Sequence, residues 1–259
     1  QLLGKQTLFN YIDKFGFGNK TGIDLNGEGK GIIFDLNQVG NVELATTAFG
    51  QGVSVTPIQQ VAAVSAVVNG GTLYEPYIVK SISEKETGNI IDQTKKQKIR
   101  QVISKKTSTI MRHALESVVA KGGGKSAYIE GYRIGGKTGT AQKVKNGVYL
   151  VGNYIMSFMA VVPSNNPKAV LYLAIDNPKN TALLSSYTTT PIARRILLDI
   201  IDALNIPKQD GEMKKDLEWT DIPTHKVPNV VDKTVEEAKK ALGKFTIEYS
   251  GTGKKVVAQ

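Results

Sequence analysis

The sequence predicts an α+β chain, an antiparallel sheet packed with helices, followed by a small α+β module. Three observations predict it. Strand-length runs at 132–142, 148–162 and 168–176 are joined by turns too short for any but antiparallel neighbours. Amphipathic runs with capping signals flank them. A charged, Pro-containing connector at 206–226 then separates residues 1–205 from a module at 227–259.

Taken in order, Thr7 to Phe15 reads as a helix with Leu8, Tyr11, Ile12 and Phe15 on one stripe and Gly16 to close it. Gly22 through Gly31 is turn-rich and reads as loop. Thr56 caps the next helix, Pro57 suits its first position and Gln59 completes a capping box. Its apolar face is Ile58, Val61, Ala62, Val64, Ser65 and Val68, and Asn69-Gly70-Gly71 stops it. Tyr74 to Lys80 and Ile82 to Asp92 read as a hairpin around Glu86-Thr87-Gly88-Asn89. Ser104 caps a helix expected to turn Ile110, Met111, Ala114, Leu115, Val118 and Val119 inward before Lys121-Gly122-Gly123-Gly124.

In the three-strand run, Asn146-Gly147 marks the first hairpin and Pro163-Ser164-Asn165-Asn166-Pro167 the second. A long helix from Thr190 to Leu204 is expected to lay Ile192, Ile196, Leu197, Ile200, Ile201 and Leu204 on the sheet. In the last module Thr234 and Glu237 cap a short helix that Gly243 ends. Phe245 to Tyr249 and Val256 to Ala258 read as strands. That module has fewer than the ~40 residues at which small domains fold unaided, and it reads as cut short.

Composition excludes several classes. Hydrophobic residues make up 41% of the 259, enough for an ordered core. Cysteine is absent, which removes disulfides, thiolate metal sites and a Cys nucleophile. His113 and His225 are too few for a His-rich metal site. No apolar run reaches the roughly 18 residues of a membrane-spanning helix. The formal charge of +10 favours polyanions. Yet the densest basic group, Lys95 to Lys106, has no interleaved aromatics and reads as a solvated loop, and no nucleic-acid motif occurs.

The stretch that carries chemistry is Arg133-Ile134-Gly135-Gly136-Lys137-Thr138-Gly139-Thr140-Ala141-Gln142. It sets a cation and two hydroxyls on a strand whose glycines let another molecule approach the backbone. Strand alternation puts Lys137 and Gly139 on one face, Thr138 and Thr140 on the other. By itself Lys137 could equally be a solvated edge-strand lysine.

Gly-Gly-Lys-Thr-Gly-Thr-Ala-Gln resembles the third active-site motif of serine penicillin-binding proteins and β-lactamases. Ala48-Phe49-Gly50-Gln51-Gly52-Val53-Ser54-Val55-Thr56-Pro57-Ile58-Gln59 is similar to a segment of class B transpeptidases, and the tail from Val227-Pro228-Asn229-Val230-Val231 resembles the start of a PASTA domain. Together they resemble a Gram-positive, division-type class B penicillin-binding protein. The resemblance implies the C-terminal part of that transpeptidase fold, a serine D,D-transpeptidase acylated by β-lactams, and no cofactor or metal. It also implies these partners: peptidoglycan stem peptides, β-lactams, the N-terminal part of the same protein, and divisome proteins such as a SEDS-type glycan polymerase. The expected location is the outer face of the cell membrane at the septum, anchored by an N-terminal helix.

The residue roles it implies fall on matching positions. Lys137 places positive charge near the reacting centre. Thr138 and Thr140 offer hydroxyls to the substrate's terminal carboxylate, and the Thr140 N–H is one oxyanion donor. Gly139 and Gly136 leave room for substrate, and Gln142 lies at the cleft rim. The family's Ser-x-x-Lys nucleophile occurs nowhere in this sequence. Ser164-Asn165-Asn166 fits Ser-x-Asn but follows the Lys-Thr-Gly strand instead of preceding it, and reads as a turn. The expectation is a substrate-clamping strand whose serine lies in an N-terminal part. The alternative is a non-catalytic peptidoglycan-binding or scaffold protein with a PASTA module; a β-lactamase or carboxypeptidase fits the tail poorly.

Overall fold

The computed structural model describes residues 2–145, 147–179, 185–215, 228–243, 245, 247 and 250–257. They divide into two units, Gln1–Lys215 and Asp216–Gln259. In the first unit the central feature is a three-stranded antiparallel sheet of β5 (Gly135–Lys145), β6 (Val148–Val162) and β7 (Ala169–Asp176), in that spatial order. The strand carrying the Lys-Thr-Gly motif is therefore marginal, with β6 as its one partner among the described residues. Helices α4 (Lys105–Lys121) and α5 (Ser185–Ala203) pack on the sheet, as the α+β expectation required. Phe158, Ala160 and Val162 of β6 meet Val119 of α4 and Ala193, Leu197 and Ile201 of α5 in one buried cluster.

The strand and helix boundaries depart from expectation where polar groups decide. Helix α5 begins at Ser185, five residues before Thr190, and runs through Pro191. Proline lacks the N–H that an interior position donates, which argues for a helix start. Here the helix nevertheless continues through Pro191, and in the turn before it Thr189 and Thr190 turn their hydroxyls back onto the Ser185 and Ser186 carbonyls. Ile192 on this helix, and Leu204 just past its end, are exposed and not packed on the sheet. In α4, Ile110, Met111 and Ala114 are exposed; the buried face is Ser108, Glu116, Val119 and Ala120. Its polar members are satisfied, Ser108 by accepting the Gly70 N–H and Glu116 by the network described below.

Near the N-terminus, α1 spans Lys5–Lys14 and buries Phe9. A helix not expected from the sequence, α2 (Asn41–Ala48), follows, its first turn closed by the Glu43 carboxylate on the Gly40 N–H. Helix α3 (Pro57–Val68) has the expected capping box between Thr56 and Gln59. Gln59 does more than cap: buried, it donates Nε2 to the Asn19 and Lys30 carbonyls at 2.7 and 3.0 Å. The expected hairpin is rearranged. β2 (Ser81–Ser83) pairs with β3 (Ile90–Gln93), whereas β1 (Thr72–Tyr74) pairs with an unexpected β4 (Lys98–Gln101). Between β1 and β2, Pro76 has no N–H and the Asp24 carboxylate accepts those of Ile78 and Val79, while the Glu75 N–H still binds the Gln97 carbonyl and the Thr94 N–H the Lys80 carbonyl. Lys96 of the basic loop sits 3.9 Å from the Tyr74 ring centre.

Residues 206–215, expected as connector, belong with the first unit: Ile206 is buried in the sheet cluster and the Gln209 N–H binds the Gly131 carbonyl. In the second unit α6 (Val235–Ala241) has its Thr234–Glu237 capping box, and Val230 and Ala238 are buried. Of the expected strand at 256–258, Val256 exchanges backbone hydrogen bonds with Asp232 and Lys233 beside a bridge between Thr234 and Lys255; Ala258 lies outside the described residues. So do Asn146, Trp219, His225 and most of 245–249.

Candidate active-site strand

Register fixes what each motif residue faces. Lys137, Thr138, Gly139, Thr140 and Gln142 lie opposite Met159, Phe158, Ser157, Met156 and Tyr154. The sequence's two-face reading holds. Toward α5 stand Gly136, Thr138 and Thr140; a Cβ on Gly136 would lie 2.5 Å from the buried Phe158 ring, and Thr140 Oγ1 is 2.7 Å from Ser185 Oγ of α5. On the other face, a Cβ on Gly135 would meet Leu115 of α4 at 3.1 Å and one on Gly139 would meet Ser157 Oγ at 2.6 Å.

These distances correct the role expected of Gly136. The space its missing side chain leaves is filled from inside by Phe158 and the Met159 carbonyl, so the glycine serves packing between β5 and β6. Gly139 likewise accommodates Ser157. Its carbonyl is in use as well, accepting the Ser185 hydroxyl at 2.5 Å.

Lys137 is exposed, and its Nζ donates to the Thr138 carbonyl at 2.7 Å. Its stem thus folds back along the strand from the face opposite the threonines. Thr138 and Gly139 are half-buried and Thr140 is exposed. Gln142 is half-buried just before the ladder shifts register at Val144. Two surface depressions, one around Asp24 and Glu75 and one around Tyr132 and Leu198, include no residue of this strand. No group of three or more His, Cys, Asp or Glu with metal-site geometry occurs among the described residues.

The strand is fixed at its root by an ion pair. Arg133, just before β5, donates Nε and Nη2 to Glu116 of α4 at 2.9–3.1 Å. The same carboxylate accepts Ser164 Oγ at 2.6 Å and the Met213 N–H at 3.0 Å. Burial pushes the Glu116 carboxyl up, but the hydrogen bonds from Arg133, Ser164 and Met213 outweigh it and hold the group below its usual range. Ser164 is thus buried and structural: beyond a turn residue, it closes the second hairpin onto α4.

Sequence reasoning missed two contributors, Ser185 and the Glu116 network. Ser185 lies in Ser-Ser-Tyr-Thr-Thr-Thr-Pro, which reads as loop before a helix, and carried no signal. Glu116 and Arg133 are 17 residues apart, and only the fold brings them together.

A family model for the penicillin-binding protein transpeptidase domain matches residues 1–198. The chain belongs to that family. Among its relatives, the stage V sporulation protein D of Bacillus subtilis is 52% identical over 257 residues, 99% of this chain and 40% of the relative. The peptidoglycan D,D-transpeptidase FtsI of Escherichia coli K12 is 30% identical over 200 residues, 77% of this chain and 32% of its own length. The structure of penicillin-binding protein 3 from Mycobacterium tuberculosis in complex with ampicillin matches with TM-score 0.73 and 28% identity, covering 82% of this chain and 49% of that one. The chain therefore spans well under half the length of both curated relatives. No helix among its described residues is long and apolar enough to cross a membrane.

Proposed function

We propose that this chain is part of a serine D,D-transpeptidase that cross-links peptidoglycan stem peptides and is acylated by β-lactams. The observation that carries the reading is the marginal strand β5. It sets an exposed ammonium (Lys137) and two hydroxyls (Thr138, Thr140) along one margin of the three-stranded sheet, with β6 as its strand partner among the described residues. A serine outside residues 1–259 attacks the D-Ala–D-Ala carbonyl. An ester forms, the amide breaks, and the departing D-alanine takes the serine's proton. An amine of a neighbouring stem then displaces the serine to form the cross-link. Lys137 stabilises the charge that develops at the reacting centre. Thr138 and Thr140 hold the terminal carboxylate, with Gly139 beside them and Gln142 at the rim. The Thr140 N–H is one oxyanion donor, a type of contact worth about 10²–10³ in rate.

The relatives named for peptidoglycan transpeptidation and for ampicillin binding support this reading. A division role, with an N-terminal membrane anchor, a PASTA module at 227–259 and a glycan-polymerase partner, extends it. The Bacillus relative favours a second role, wall synthesis in sporulation, because its likeness runs through the tail as well. Labelled penicillin tests the core claim: the full-length protein should be labelled at a serine outside this chain, and residues 1–259 alone should not. Labelling of the isolated chain would defeat the assignment. Absence of labelling in the full-length protein would favour the non-catalytic scaffold.

A further inference from the structure

The Ser185 hydroxyl has two neighbours and one proton. It lies 2.5 Å from the Gly139 carbonyl and 2.7 Å from Thr140 Oγ1, and the residue is 1% exposed. A carbonyl oxygen has no proton to give, so the Ser185 proton goes to Gly139. Thr140 must then be the donor in the hydroxyl pair. In this state the Thr140 proton points at Ser185 and is not available to an anion in front of the strand.

Resting on the proposed carboxylate role of Thr140, we infer that Ser185 is a positioning residue that switches the polarity of Thr140. When an anion arrives, the Thr140 O–H turns to it, and the Ser185 O–H turns from the Gly139 carbonyl to Thr140 Oγ1. The result is a donor chain, Ser185 to Thr140 to anion. Only hydroxyl rotations occur, and no proton changes owner. A hydroxyl that accepts one hydrogen bond is a stronger donor in the next, so the chain grips the carboxylate better than Thr140 could alone. The Gly139 carbonyl and the Thr140 N–H are the two ends of one planar peptide. In the resting state the Ser185–Gly139 bond therefore also holds the orientation of the proposed oxyanion donor.

The test uses the full-length protein with benzylpenicillin and its methyl ester, which lacks the free carboxylate. Ser185→Ala should slow acylation by the acid about tenfold, the worth of one charge-assisted hydrogen bond. It should change acylation by the ester no more than about twofold, and Ser185→Thr should restore most of the acid's rate. Equal losses with acid and ester, or no loss with either, would overturn the relay. Unfolding temperature is recorded alongside; a Ser185→Ala variant too unstable to assay leaves Ser185→Thr against Ser185→Cys, the weaker donor, as the discriminating pair. Thr140→Val separates the two levels. If it leaves the acid-to-ester preference intact, the Thr140 reading itself fails. If it erases that preference while Ser185→Ala does not, the relay alone fails.

Discussion

At the scale of single residues, the glycines of the motif are not equivalent. The Cβ of an alanine at 136 would meet a fixed ring and a backbone carbonyl, Phe158 at 2.5 Å and Met159 O at 2.8 Å, and neither can retreat from a closed core. At 139 it would meet only a serine hydroxyl at 2.6 Å, the next atom being 3.9 Å away, and that hydroxyl can rotate. Gly136→Ala should therefore cost about 1–3 kcal/mol, the usual penalty for overpacking, and Gly139→Ala distinctly less, read from denaturant midpoints of the full-length protein. The reverse order would show that the packing has been misassigned. Because Gly139→Ala is the milder change, a loss of penicillin labelling in it reports crowding at the strand. The make-up of this strand, a cation, two hydroxyls and interspersed glycines on alternating faces, was legible because they lie within a few consecutive positions. Its second layer was not: Ser185 is 45 residues from Thr140, in a stretch that looks like a loop.

At the scale of elements, α4, the root of β5, the β6–β7 turn and residue 213 converge on one carboxylate. Glu116 is 2% exposed and accepts from Arg133, Ser164 and the Met213 N–H. Glu116→Ala would strand the Arg133 guanidinium, which is 23% exposed, and should cost about 3 kcal/mol, the lower end for breaking a buried pair. Ser164→Ala, which removes one bond to a charged acceptor, should cost about 1.5–3 kcal/mol. The Glu116 carboxyl is held below its usual range in the folded state, so the unfolded chain binds the proton more readily. Its stabilisation is complete above that range and is lost as pH falls through it toward the depressed value. Thermal unfolding of Glu116→Gln should thus lose less stability between neutral and acid pH than the parent; parallel curves would remove Glu116 from the account. Elements signalled locally were legible, such as α3 with its capping box or the β5–β6 pairing. Those that depend on distant partners were not: β1 pairs with β4 across an intervening hairpin, and Asp24 holds the backbone of Ile78 and Val79 from 54 and 55 residues away. Likewise α5 includes the turn before Pro191, although a proline ordinarily marks a helix start.

At the scale of the whole molecule, the question is where the transpeptidase unit ends. A reading from composition places the boundary at 205, because 206–226 is charged and contains prolines. Charge and proline describe solvent exposure and stiffness, and neither reports what the backbone is bonded to. In the structure Ile206 is buried with Leu197 and Ile201, the Ile206 N–H binds the Ile201 carbonyl, and Gln209 and Met213 donate backbone bonds to Gly131 and Glu116. Cutting the full-length protein after residue 205 removes an apolar side chain from the sheet cluster, and with it a donor from a buried carboxylate. Cutting after 215 removes neither. We therefore expect truncation after 215 to leave the unfolding temperature of the transpeptidase unit and its penicillin labelling unchanged. Truncation after 205 should lower stability by roughly 3–6 kcal/mol, the sum of a buried aliphatic side chain and a hydrogen bond to a charged group. Equal stability of the two would mean that residues 206–215 contribute nothing to the unit. If the 215 truncation also loses stability, the second unit supports the first.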